Sequence, residues 1–167
     1  QNHNLFSRVL LNVHFTHKAY NFSSVSSNAN SIPAFKDKIT VITGGAAGIG
    51  EYGTRLFAKE GATVIIFDVN EEAGKKLEAE LCEKGQNVIF MKTDISSYDA
   101  VCASMEEIDK RFGRLDVLYN NASVFLGSRD NKISEISLET WNKILSINLN
   151  GLFAKLSGRK VYNNVVM

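Results

Sequence analysis

One glycine-rich segment and a few acidic and amide side chains, each placed after an apolar run, carry the chemistry this sequence can offer. Residues Thr43-Gly44-Gly45-Ala46-Ala47-Gly48-Ile49-Gly50 follow the run KITVIT (38–43) and lead into a stretch with helical periodicity. A strand that turns directly into a helix aims several main-chain N–H groups and the positive helix end at one point, which suits a pyrophosphate. Gly44 permits the tight turn, Gly48 lets phosphates approach the main chain with no Cβ in the way, and Gly50 allows close packing of helix on strand. The spacing is not G-x-G-x-x-G, and no Lys-Ser/Thr pair follows Gly50, so a Walker A loop and NTP hydrolysis are disfavoured.

Asp68 ends the second apolar run, ATVIIF (62–67), eighteen residues after Gly50. A carboxylate there can accept hydrogen bonds from both ribose hydroxyls of an adenosine. The same charge repels a 2′-phosphate: a like-charge pair at about 4 Å and an effective dielectric of roughly 20 costs about 4 kcal/mol before solvent screening. No Arg or Lys lies between Gly44 and Gly50 to receive an extra phosphate. Together these features predict NAD as the cofactor, with NADP the poorer ligand.

The elements that must hold these residues read as alternating strands and helices. The strands are 38–43, 62–67, 87–91 and 115–119; helices lie between them, and a last one is capped by Ser137. Asn70 caps the second helix, whose buried face carries Ala73, Leu77 and Leu81, with Glu71–Lys75 and Glu72–Lys76 pairs on its wet side. Ser96 or Ser97 starts the third helix, with Val101, Met105, Ile108 and Phe112 facing inward. The last helix is expected to bury Leu138, Trp141, Leu145, Leu149 and Leu152. A polar loop, 123–135, separates the fourth strand from it, and connections of this length are often functional. The fold class predicted is α/β, a Rossmann-type doubly wound parallel sheet cut short after about four strands, in the order 3-2-1-4.

Composition narrows the function classes. The net charge of +1 excludes a bulk field for nucleic acid or an acidic membrane, and no run of 18 apolar residues spans a bilayer. Cys82 and Cys102 show no metal-ligand spacing and read as reduced thiols on or beside helices. Residues 1–36 contain no Asp or Glu and mix basic, hydroxyl and scattered apolar residues, the composition of a disordered extension or a transit segment. Residues 37–154 read as the dinucleotide-binding domain and 155–167 as an irregular tail. The compartment is expected to be the cytoplasm or the mitochondrial matrix.

Several of these segments resemble one family, the short-chain dehydrogenases/reductases. TGGAAGIG is similar to the family's T-G-x-x-x-G-x-G pattern at Thr43, Gly44, Gly48 and Gly50, and Asp68 to its ribose-binding acid. Asp94 in MKTDIS resembles the carboxylate that contacts the adenine amino group, and GRLDVLYNNAS resembles the strand-four pattern, with Ser123 where the family usually has Gly. Asn148 in SINLNGLF stands at the family's helical asparagine, and the likeness runs from Lys38 to about Phe153. The resemblance implies that Asn120 and Ala122 border the cofactor and that Asn121 mostly ties down the strand end. Ile49, Val69 and Ile95, each next to a motif residue, complete the expected cofactor-binding set.

The resemblance further implies interconversion of a hydroxyl and a carbonyl on a small alcohol or ketone. In the family a tyrosine exchanges the proton, a lysine four residues later favours its phenolate, an upstream serine polarises the substrate oxygen, and the helical asparagine holds a water. None of the five tyrosines fits: Tyr20, Tyr52, Tyr98, Tyr119 and Tyr162 are followed at the fourth position by Ser24, Leu56, Cys102, Ser123 and Val166. Of the four catalytic positions only Asn148 has a counterpart; without catalysis it could serve to bond a helix carbonyl at a kink. The expectation is an inactive fragment of an oxidoreductase that is a homo-oligomer at full length. The alternative is a catalytically dead module that binds NAD or a protein partner.

Overall fold

A computed structural model describes residues 34–126 and 135–151. The first strand, β1 (Ile39–Thr43), is buried at all five positions. Such a run is what a central strand of a parallel sheet requires, since helices cover both its faces. Helix α1 (Gly48–Lys59) returns the chain to β2 (Thr63–Asp68), α2 (Glu71–Glu83) leads to β3 (Val88–Lys92), and α3 (Tyr98–Phe112) leads to β4 (Val117–Tyr119). The sheet is parallel in the expected order, β3-β2-β1-β4. Register pairs Val41 with Ile65 and Leu118, and Ile65 with Ile89.

Because strand side chains alternate, the sheet has two cores. Ile42, Val64, Ile66, Val88 and Val117 pack against Phe57 and Ala58 of α1 and Leu77 and Leu81 of α2. Val41, Ile65, Phe67 and Leu118 pack against Val101, Met105 and Ile108 of α3. Phe35, which the sequence reading leaves before the domain, is 4 % exposed and stacks on Phe57 with ring centroids 4.6 Å apart. The two helices of the first face are also joined by charge: Arg55 meets both oxygens of Glu80 at 2.7 Å and Glu51 at 2.8 Å. The Glu71–Lys75 pair closes at 2.6 Å, while Glu72 and Lys76 form no ion pair; Lys92 meets Glu71 instead.

Helix α4 (Leu138–Leu145) continues into a π-helical turn, Ser146–Asn150. Its expected buried face is a correction. Leu138 is 73 % exposed, Trp141 41 % and Leu149 57 %; Leu145 is half-buried, and Leu152 lies outside the described residues. The chain carries a second, smaller stripe, and that one is covered: Thr140 is buried, Ile147 packs beside the α3 core, and Gly151 lies against Ile95 in the loop after β3. Bulk suggested the wrong face. Close approach to the end of β3 needs small side chains, and a Cβ on Gly151 would fall 2.8 Å from the Ile95 carbonyl oxygen.

Candidate functional site

The chain runs outward from β1 to β3 and then crosses to β4 on the other side of β1. Between β1 and β4 the connections therefore leave in opposite directions, and a crevice opens at the carboxyl ends of the strands. A cleft of about 390 Å³ lies there. Gly44, Ala47 and Ile49 line it from the first turn, Phe67, Asp68 and Val69 from β2, and Thr93, Asp94 and Ile95 from β3. Asn121, Ala122, Ser123 and Val124 close it from β4, with Ile147 from the π-helical turn.

The turn has the conformation its glycines suggest. Gly44 and Gly48 sit in the left-handed region, at φ 63° and 55°. A Cβ at Gly48 would meet no protein atom within 4 Å, so the main chain is approachable there, whereas a Cβ at Gly50 would lie 1.9 Å from the Gly44 carbonyl oxygen. Helix α1 begins at Ala47 without a side-chain cap. The other three helices have one: Asn70, Ser97 and Ser137 each accept from an N–H of their own first turn. The first amides of α1 thus keep their donor capacity beside the cleft.

The turn is fixed to the sheet and to α1 by four side chains, Thr43, Asn121, Thr54 and Asp68. The Thr43 hydroxyl, fully buried, accepts the N–H of Asn121 at 3.1 Å and of Ala122 at 3.0 Å. The Asn121 amide donates to the carbonyls of Thr43 and Gly44 at 3.1 and 3.2 Å. Thr54 donates to the Gly45 carbonyl at 3.0 Å. Asp68 accepts from Ala46 N at 3.1 Å and from Asn70 N at 3.0 Å. Asp94 accepts from both the N–H and the hydroxyl of Ser96, at 2.9 and 2.7 Å. Those two bonds, more than the nearby Lys143 charge, hold its carboxyl below the usual carboxylate range.

Of the residues singled out from sequence, Gly44, Ile49, Asp68, Val69, Asp94, Ile95 and Ala122 line the cleft. Thr43, Gly48, Gly50 and Asn120 do not line it: Thr43 and Gly50 set the turn from beneath, and the buried Asn120 oxygen has no hydrogen-bond partner. Asn148 bonds no helix carbonyl. Its side chain pairs with the main chain of Val124 in both senses, Nδ2 donating to the carbonyl at 3.0 Å and Oδ1 accepting the N–H at 2.9 Å. It therefore ties the π-helical turn to the loop after β4. Ala47, Phe67, Thr93, Ser123, Val124 and Ile147 were not anticipated, and Asn121, expected mostly to tie down the strand end, lines the cleft as well; all but Ile147 lie in or beside the motif segments, and only the fold brings Ile147 to the sheet edge. Among the described residues no group of three His, Cys, Asp or Glu could hold a metal, and no helix is long and apolar enough to cross a membrane.

A family model described as short chain dehydrogenase matches residues 38–158. The chain belongs to the short-chain dehydrogenase family. A 3beta-hydroxysteroid dehydrogenase of Mediterraneibacter gnavus is 40 % identical over 119 residues, 71 % of this chain and 42 % of that protein. Momilactone A synthase of Oryza sativa subsp. japonica is 38 % identical over 131 residues, 78 % of this chain and 46 % of the relative. The chain thus spans about half the length of the curated relatives it matches. Among solved structures, a short chain dehydrogenase/reductase from Burkholderia phymatum in complex with NAD superposes with a TM-score of 0.69 at 28 % identity, over 74 % of this chain and 43 % of that one. The fold class is the Rossmann type, as in these structural neighbours.

Proposed function

We propose that this chain provides the NAD-binding half of an oxidoreductase that interconverts a hydroxyl and a carbonyl group, and that by itself it binds without turning over. The observation that carries the cofactor choice is the lining of the cleft, which among the described residues has two carboxylates, Asp68 and Asp94, and no lysine or arginine. An extra 2′-phosphate would enter beside the like charge of Asp68, with no cation among those lining residues to meet it. The residues fit the dinucleotide in other respects. The amides of Gly48 and Ile49 at the uncapped start of α1 would take the pyrophosphate, Asp68 the adenosine ribose, and Asp94 the adenine amino group, with Ile49 and Val69 as apolar flanks. Bound there, the nicotinamide would supply or accept the hydride.

Asn148 is the one family catalytic position with a counterpart, and no tyrosine here is followed by lysine at the fourth position. The substrates in the relatives' names differ, a 3β-hydroxysteroid in one and an acyl-carrier-protein thioester in another, so the proposal stays at the class of small alcohols and ketones. The longer protein is proposed to be a homo-oligomer of the cytoplasm or mitochondrial matrix. Free Cys82 and Cys102 and the acid-free residues 1–36 support that compartment. A second reading, an NAD-binding module that docks a protein partner, is favoured by the exposed Leu138, Trp141 and Leu149 of α4.

Calorimetric titration of folded chain with NAD and NADP tests the proposal. NAD should bind the more tightly of the two, with no oxidation of added alcohols. Absence of heat with NAD at millimolar concentration would remove the cofactor assignment, and turnover by the chain alone would remove the claim that it only binds.

A further inference from the structure

The glycine turn is held mostly by groups that take hold of its carbonyls. Thr54 donates to Gly45 O, and Asn121 donates to Gly44 O. One side chain does the opposite: the Asp68 carboxylate accepts the Ala46 N–H with Oδ2, while its Oδ1 accepts the Asn70 N–H. Ala46 lies between the two left-handed glycines, Gly44 and Gly48, where the main chain has most freedom to lose. Its own side chain is 4 % exposed and packs into the core beneath α1. A carboxylate has about four lone-pair positions. Two are used on the protein, which leaves two for ribose hydroxyls.

We infer that Asp68 is a positioning residue for the phosphate turn as well as the reader of the ribose. By holding the Ala46 N–H it fixes the path from Gly44 to Gly48 before a dinucleotide arrives, so that the uncapped start of α1, with Ala47 and Ile49 lining the cleft, is already in place. This inference rests on the NAD-binding reading above. Its consequence is that sugar selectivity and pyrophosphate affinity share one side chain. A substitution made to admit a 2′-phosphate also loosens the hold on the pyrophosphate, and NADP gains less than charge removal alone would give it.

Two variants separate the hydrogen bond from the charge. Asp68→Ala and Asp68→Asn both remove the negative charge, so the electrostatic relief for an anion is the same. Only the asparagine variant keeps a carbonyl oxygen that can accept the Ala46 N–H. Inorganic pyrophosphate is the probe, because it has no ribose for the introduced side-chain amide of D68N to contact. Amide chemical shifts across Gly44–Ile49 report its binding, and hydrogen exchange at Ala46 in the ligand-free variants reports the turn itself. D68N should bind pyrophosphate about fivefold more tightly than D68A, the factor one neutral hydrogen bond gives, with Ala46 exchange slower by a similar factor. Equal affinity and equal exchange in the two folded variants overturn the inference. Should D68A not fold, the unmutated chain still decides: its Ala46 amide should be protected from hydrogen exchange in the absence of ligand, and an Ala46 amide that exchanges as fast as an unbonded one overturns the positioning role. Unmutated, folded chain that binds neither pyrophosphate nor NAD overturns the cofactor reading and this inference with it. Binding by the unmutated chain with no difference between the variants overturns this inference alone.

Discussion

Two helices of this chain come up against a main-chain carbonyl through a glycine, and they do so in different company. At α1, a Cβ on Gly50 would sit 1.9 Å from Gly44 O; after α4, a Cβ on Gly151 would sit 2.8 Å from Ile95 O. Around the first contact the neighbours are complete. Thr54 and Phe57 are buried, Arg55 is paired with two glutamates, and the turn is bonded from β4 and β2. Around the second, the anchors among the described residues are Asn148 on Val124, Ile147 and Gly151, while Leu138, Trp141 and Leu149 are exposed. Among the described residues the glycine turn is therefore held by side chains of β1, α1, β2 and the end of β4. The α4 side contributes a lining residue without supporting that turn.

On this contrast the largest effect should come from Gly50→Val. The new side chain cannot avoid the Gly44 carbonyl, because backbone meets backbone there. A loss on the order of 4 kcal/mol, or failure to fold, is expected in urea unfolding. Gly151→Ala forces a smaller shift and should cost roughly 1–3 kcal/mol. Equal losses would erase the distinction between the two contacts. Next in size is Thr43→Val, which keeps the volume but leaves the Asn121 and Ala122 N–H groups without their acceptor. Leaving buried donors unpaired costs roughly 1–3 kcal/mol each, part of which water recovers at this half-buried strand end. NAD affinity should fall with stability, since the same bonds place Ala122 in the cleft.

The same contrast explains what could be read from sequence. KITVIT and ATVIIF have one interpretation, since unbroken β-branched runs of that length between glycines suit strands buried on both faces. Sheet order followed from the family resemblance and the βα rhythm. The side chains that touch across the sheet were less legible. Thr43 and Asp68 were expected against the cofactor, yet their hydrogen bonds to residues 78 and 22 positions away have no local signature. On α4 the periodicity supports two stripes, Leu138/Trp141/Leu145 and Thr140/Ile144/Ile147, and hydrophobic size favoured the one the sheet does not use. The π-helical turn at Ser146–Asn150 is also silent in the pattern, because one residue inserted in a helix leaves apolar spacing nearly unchanged.

A smaller effect is expected from the charges joining α1 to α2. Glu80 has its carboxyl held down to about 2, from an ordinary 4.5, first by the Arg55 hydrogen bonds and then by Lys84. A depressed carboxylate stabilises the fold above its unfolded value, and that contribution is lost as pH falls through the folded one. Stability should thus decline between about pH 4.5 and 2, and Glu80→Gln should flatten the urea midpoint over that window. Glu71 and Glu107, lowered by Lys75 and Arg111, add slope of the same sign. An unchanged slope in the variant would show that the α1–α2 ion pairs contribute nothing measurable, as many exposed pairs do not.

The smallest effect is expected where hydrophobic size alone would forecast a large one. Trp141 is the single tryptophan of the chain and stands in the middle of the apolar stripe of α4. A buried tryptophan truncated or charged costs roughly 3–5 kcal/mol. Here Thr140 is buried, Ile147 and Gly151 beyond the helix meet the α3 core and Ile95, and Trp141 is 41 % exposed. Trp141→Lys should therefore cost well under that, about 1 kcal/mol in the dilute chain, the middle of the range for point substitutions. Helix propensity does not offset this, since lysine is at least as good a helix former as tryptophan. NAD affinity should also hold, because neither Trp141 nor any residue of α4 before the π-helical turn lines the cleft. A loss of several kcal/mol in dilute chain would mean that the stripe is packed after all, and the two glycine contacts would then belong to equally complete halves of one fold.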